Sequence, residues 1–152
     1  MRHSIRRATT EDADAIVQLC FEHAAYEKVI YDPTGKSEKL VQLLNSTNPV
    51  FHCLLAENEN GILGYTTYSF EFSTWDAGFY LHMDCLYIRR PARGFGIGEK
   101  LVNELCEAAK SAGCSLLQWQ TPSFNERAIK FYHRIGASSK EKLRFYLPVE
   151  NI

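Results

Sequence analysis

Residues 89–102, RRPARGFGIGEKLV, hold the densest cluster of chemically suggestive residues in the chain. Gly94, Gly96 and Gly98 fall on alternate positions, with Arg89, Arg90 and Arg93 before them and Lys100 after. A glycine loop between a strand and a helix gathers backbone N–H groups and the positive end of a helix dipole, a combination that binds phosphate. Glycine also lets an anion approach the backbone with no Cβ in the way. The spacing excludes two nucleotide loops. The dinucleotide fingerprint needs glycine at the sixth place, where Glu99 stands. The P-loop needs Gly-Lys-Ser/Thr, and this run reads Gly98-Glu99-Lys100. A ligand-free tight turn would use the same glycines; the basic side chains around them favour phosphate.

The other reactive residue types form no recognisable constellation. His82 and His133 can titrate near neutrality, but neither has metal-ligand spacing, so no metal is expected. Cys85 sits beside Asp84 without an activating pair in sequence, so it is not expected to act as a covalent nucleophile. The five cysteines are scattered and form no C-x-x-C pair, as expected for reduced thiols in a cytoplasmic protein.

The surrounding sequence supplies alternating strands and helices. His3–Arg7 alternates as a strand, Thr9 or Thr10 caps a helix, and Ser37–Leu44 carries a second helical stripe. Strands are expected over 51–57, 62–72 and 79–89, with a hairpin turn at Asn58–Gly61. After the glycines, Leu101, Val102, Leu105, Cys106 and Ala109 mark a helix ending near Gly113. A strand over 115–120, a helix over 125–135 and a last strand over 143–147 complete the pattern. The order predicts one α/β (α+β) domain across residues 1–152 with a mixed sheet. The net charge of −1 gives no global attraction to nucleic acid or an anionic membrane. No apolar run approaches the ~20 residues a spanning helix needs, and the first residues lack the apolar core of a secretory signal.

On these residues the chain resembles the GNAT N-acetyltransferases. Arg93-Gly94-Phe95-Gly96-Ile97-Gly98 matches their Arg/Gln-x-x-Gly-x-Gly/Ala signature, which binds the pyrophosphate of acetyl-CoA. FHCLLAE, LHMDCLYI and NERAIKFYHRIGA extend the resemblance, in order and spacing, to the spermidine/spermine N-acetyltransferase-like branch. The resemblance implies a central mixed sheet of about seven strands flanked by helices, with two strands splayed at the acetyl-CoA site. It implies pantetheine on the backbone of Leu86, Tyr87 and Ile88, and phosphates on residues 93–99, Glu99 included. Asn125 matches a pantetheine contact, equally readable as a helix N-cap, and Arg127 lies within reach of phosphates from the same helix.

Catalytic roles also come from the resemblance. Tyr132 stands at the position of the general acid that assists thiolate departure. Asp84 stands where the branch carries a glutamate base, and the shorter side chain requires a water or a closer substrate. Tyr26, Glu27, Trp75 and Asp84 match acceptor-side positions, although the acid expected two places before Trp75 is Ser73. His82 is a candidate accessory base. The reading is an acetyl-CoA-dependent transferase acting on the primary amine of a small cationic acceptor, such as a polyamine, diamine or amino acid. Three alternatives stay open: a peptide or protein N-terminus, an aminoglycoside, and an acyl-CoA-binding domain without turnover. No nucleic-acid or membrane partner is expected, and the family often forms homodimers.

Overall fold

The computed structural model describes residues 1–151, with side-chain burial assigned through 150. Cα proximity divides it into two compact units, Met1–Gln120 and Thr121–Ile152. The first unit contains a five-stranded mixed sheet in the order β1-β2-β3-β4-β5. Its strands are β1 (Ser4–Arg7), β2 (His52–Asn58), β3 (Gly61–Ser73), β4 (Gly78–Ile88) and β5 (Leu117–Gln118). The first four pair antiparallel, and β5 joins β4 in parallel.

Two layers of helix cover the sheet. Helix α1 (Ala13–Tyr26) buries Ile16 and Leu19 against Cys53, Leu55 and Tyr65, and Leu40 and Leu44 of α2 (Lys36–Leu44) pack on the same cluster. Because strand side chains alternate, Leu54 and Tyr68 point the other way, where Glu104 and Ala108 of α3 (Ile97–Ser111) meet them around a shared hollow. The buried stripe Ile97, Leu101, Val102, Leu105, Ala109 has the period of a helix with one apolar face. The entry to α1 is pinned electrostatically. Arg6 donates to both Asp12 oxygens at 2.8 and 2.9 Å, and the Thr9 amide donates to Asp12 at 2.7 Å. The second unit consists of α4 (Glu126–Arg134) and an irregular segment ending in the short turn Val149–Asn151.

The strand count corrects the expected seven to five among the described residues. Residues 143–147 are not a strand, although Leu143, Phe145 and Leu147 alternate correctly. Their side chains are 84%, 86% and 70% exposed. Alternation makes a strand only where an edge supplies backbone partners, and among the described residues this segment joins no ladder. The strand expected over 115–120 shrinks to Leu117–Gln118 for a related reason: β4 accepts it only at Leu81 and His82.

Candidate active site

Strand β4 is the axis of the site. One edge pairs with β3 along its whole length, while the other pairs with β5 at Leu81 and His82 alone. Past that point the two strands part, so the edge at Leu86, Tyr87 and Ile88 carries no strand on that side. Such an edge offers N–H and C=O groups to an extended ligand bearing amides. On the opposite edge Gly64 of β3 makes the close fit with β4. A Cβ built there would lie 2.5 Å from the Tyr87 carbonyl oxygen and 2.7 Å from Ile88 Cδ1.

The chain leaves β4 through a short turn at Arg90–Ala92 and enters the glycine loop. Gly94 and Gly96 have φ of 85° and 78°, the left-handed region that glycine adopts at no steric cost. Nothing lies within 4 Å of a Cβ built on either, so both face open space. Helix α3 starts at Ile97, buried as an anchor, and its first backbone bond runs from Lys100 to Gly96 at 3.0 Å. The amides of Gly96, Ile97, Gly98 and Glu99 therefore have no acceptor inside the helix, at its positive end. These residues fit a pyrophosphate. Arg93 Nε donates to the Ile88 carbonyl at 2.8 Å, and its guanidinium lies 4.7 Å from the Tyr26 ring and 5.5 Å from that of Tyr87. Arg93 thereby ties loop to strand and holds Tyr26 on the loop side.

A cavity of about 490 Å³ opens beside the middle of the same strand. A bulge shapes its wall: Thr67 faces Cys85 and Tyr68 faces Met83, leaving Asp84 as the extra residue. Asp84 lines the cavity with a 72% exposed side chain, 4.0 Å from His82 Nε2. Glu71, accepting from Ser69 Oγ at 2.8 Å, adds a second carboxylate. Across the cavity stand Lys36 and Lys39 of α2, with the Lys36 ammonium 3.8 Å above the Tyr31 ring. Burial pushes the Tyr31 phenol up to about 12. Thr67 is buried in the wall, and its Oγ1 has no hydrogen-bond partner among the described residues. An orphaned buried hydroxyl facing a cavity is what a polar ligand atom would satisfy. Burial and then Asp84 push the Cys85 thiol up to about 12, which keeps it protonated and poorly nucleophilic.

A polar chain runs away from the cavity through His23. Its Nδ1 is 3.1 Å from the Tyr65 hydroxyl, its Nε2 is 2.7 Å from Glu27, and its ring stacks on Tyr87. Within the second unit, Tyr132 lies in the last turn of α4 with its ring 5.4 Å from Phe131. Asn125 is the N-cap of α4, but its side chain bonds Thr121 Oγ1 at 3.1 Å rather than the helix amides. Arg127 is exposed in the first turn.

The acetyltransferase (GNAT) family matches residues 10–137, most of the chain. The chain belongs to the GNAT acetyltransferase family. It is 33% identical to the thialysine N-epsilon-acetyltransferase of Bos taurus over 88% of this chain and 82% of that protein. A human spermidine/spermine N(1)-acetyltransferase-like protein 1 is 28% identical over 88% of this chain and 20% of its own length. These relatives support the spermidine/spermine-like branch. In fold, a soil-metagenome aminoglycoside acetyltransferase superposes with a TM-score of 0.81 at 22% identity, covering 97% of this chain and 96% of that one. This GNAT chain is therefore an acetyl-transferring enzyme, and GNAT acetyltransferases use acetyl-CoA as cosubstrate.

Within the GNAT site, the four acceptor-side positions separate. Asp84 lines the cavity. Tyr26 packs beside Arg93 and Tyr87, Glu27 is held by His23, and Trp75 stands 99% exposed in the β3–β4 turn. The cavity instead enlists Tyr31, Lys36, Lys39, Thr67 and Glu71, none of which stood out in the sequence. A signal was present for α2: Lys36, Lys39, Leu40 and Leu43 share one helical face.

Proposed function

We propose that residues 1–152 form one catalytic domain that moves acetyl from acetyl-CoA to the primary amine of a small acceptor, a polyamine, diamine or amino acid. The observation that carries this reading is the adjacency on β4 of a cavity-lining carboxylate, Asp84, and the unpaired edge at Leu86–Ile88. The family match runs across both compact units, which supports a single domain. The thialysine enzymes among the relatives act on an amino acid bearing a side-chain amine, which supports a small acceptor.

In this reading the backbone of Leu86–Ile88 holds the pantetheine arm, and the amides of residues 94–99 with Arg93 hold the pyrophosphate. Asn125 and Arg127 add contacts to the arm and the phosphates. Asp84 takes a proton from the ammonium, directly or through water, because only the free amine attacks. The nitrogen forms its bond to the acetyl carbon, the carbon–sulfur bond breaks, Tyr132 donates its proton to the departing thiolate, and the second proton of the amine restores the phenol. Holding amine and thioester together supplies much of the rate. No metal takes part. The five thiols, all free, suit a reducing cytoplasm. Among the described residues no helix is long and apolar enough to cross a membrane. The exposed alternation at Leu143, Phe145 and Leu147 supports a homodimer in which this segment pairs with a second copy.

The test is CoA release with polyamines, lysine analogues, aminoglycosides and peptides. Asp84→Asn is expected to lower kcat/KM for the preferred amine ~100-fold, the scale of general base catalysis. Tyr132→Phe is expected to lower kcat with little change in the KM for acetyl-CoA. Binding of acetyl-CoA with no amine accelerating thiol release refutes the enzyme. Unchanged turnover by Tyr132→Phe, with chemistry rate-limiting, removes it as the acid.

A further inference from the structure

The cavity beside β4 is charged at two opposed walls. Glu71 projects from β3 and Asp84 from β4, with His82 on the same strand as Asp84, while Lys36 and Lys39 project from α2. An acceptor carrying only ammonium groups meets attraction on one wall and repulsion on the other. A molecule bearing both an ammonium and a carboxylate matches both. The orphaned Thr67 hydroxyl lies in the same cavity and offers a further bond to a polar acceptor.

We propose that Lys36 and Lys39 determine acceptor specificity by binding a carboxylate, so that the preferred acceptor is an amino acid and not a polyamine. This rests on the acetyl-transfer reading of the same site and narrows its acceptor class. Lys36 is held for the task, since its ammonium sits over the Tyr31 ring, and burial keeps that phenol neutral. Lys39 lies one helical turn further on and lines the same wall. Leu40 and Leu43 continue that face as apolar surface for the methylene chain between the two charged ends. The amine end then lies toward Asp84, the group assigned to deprotonate it.

The experiment compares acceptors that differ by the carboxylate alone: lysine against cadaverine, and ornithine against putrescine. The readout is the ratio of kcat/KM within each pair, measured on one enzyme preparation so that the fraction of active protein cancels. Two charge-assisted contacts at a solvent-exposed rim predict a preference of ~10-fold for the amino acid. The double variant Lys36→Glu/Lys39→Glu is expected to invert the ratio, lowering the rate on lysine and raising that on cadaverine. The milder Lys39→Gln is expected to reduce it part-way. A diamine used as well as its amino acid, or a ratio unmoved by charge reversal, overturns the proposal while leaving acetyl transfer intact. Turnover of aminoglycosides or peptides with none of the four small acceptors also overturns it. Binding of acetyl-CoA with no amine of any class accelerating CoA release removes the reading on which it rests.

Discussion

Replacing Gly64 by alanine tests the packing that holds the cofactor edge in place. A Cβ at this position would lie 2.5 Å from the Tyr87 carbonyl oxygen, 2.7 Å from Ile88 Cδ1 and 3.0 Å from Ile88 Cα. Two of these neighbours are backbone, so no side-chain rotation relieves the overlap. Reaching ordinary separation requires β3 and β4 to part by roughly 1 Å, which weakens ladder bonds worth ~0.5–1.5 kcal/mol each. With the strain of overpacking, ~1–3 kcal/mol, the cost is about 2–4 kcal/mol. In a chain of this size that lowers Tm by about 4–16 °C. Because the displaced residues are Tyr87 and Ile88, KM for acetyl-CoA is expected to rise ~10-fold as well. Gly78→Ala is the control: its nearest neighbour would be the Asp76 carbonyl oxygen at 3.8 Å, and it needs no left-handed φ. Urea denaturation of both variants, with midpoint and slope fitted separately, reads the difference. Equal midpoints for the two variants refute the close-approach argument.

Asp12→Asn probes the anchor of α1. The Arg6 guanidinium, then the Thr9 amide, hold the Asp12 carboxyl at about 2, below its unfolded value, so the stabilisation is complete above pH ~4 and fades as pH falls toward 2. Discounting for the partly exposed Arg6, the variant is expected to lose about 1–2 kcal/mol at pH 7, with the gap narrowing as pH falls below ~4 and closing only below pH ~2. A gap in urea midpoints that persists at low pH contradicts this assignment. Phe145→Asp is expected to give a monomer by analytical ultracentrifugation where the parent chain sediments as a dimer, and an unchanged sedimentation coefficient counts against strand pairing between copies.

The conformation of the glycine loop was legible because its signal is local. Gly94 and Gly96 need their left-handed φ whatever the rest of the fold does, and the strand before and helix after them show in the hydrophobic period. The acceptor side was not legible, because its signal is tertiary. Lys36 and Lys39 come to line the cavity only when α2 is set against the sheet. Trp75 looked like a wall residue by analogy, yet it lies in a turn where its ring meets solvent. The last strand failed for a different reason: its alternation is real, but alternation cannot supply an edge to pair with.

The bulge at Asp84 is where these two kinds of information meet. In a regular strand, His82 and Cys85 are three residues apart and would face opposite sides of the sheet. Their partners Ser69 and Thr67 are two apart and share a side. The extra residue reconciles the two counts, bringing His82, Asp84 and Cys85 all to the cavity. Without it, the register that points Cys85 at the cavity would send the neighbouring Asp84 toward α3. After the bulge the strand resumes regular pairing through Leu86, Tyr87 and Ile88, whose other edge is the unpaired one. One inserted residue thus lets a single strand present a carboxylate to the cavity and, two to four residues later, an unpaired backbone edge, the two features that the proposed reading assigns to acceptor and acyl carrier. The alternation in LHMDCLYI conceals this, because a bulge is a property of the β3–β4 register and neither strand displays it alone.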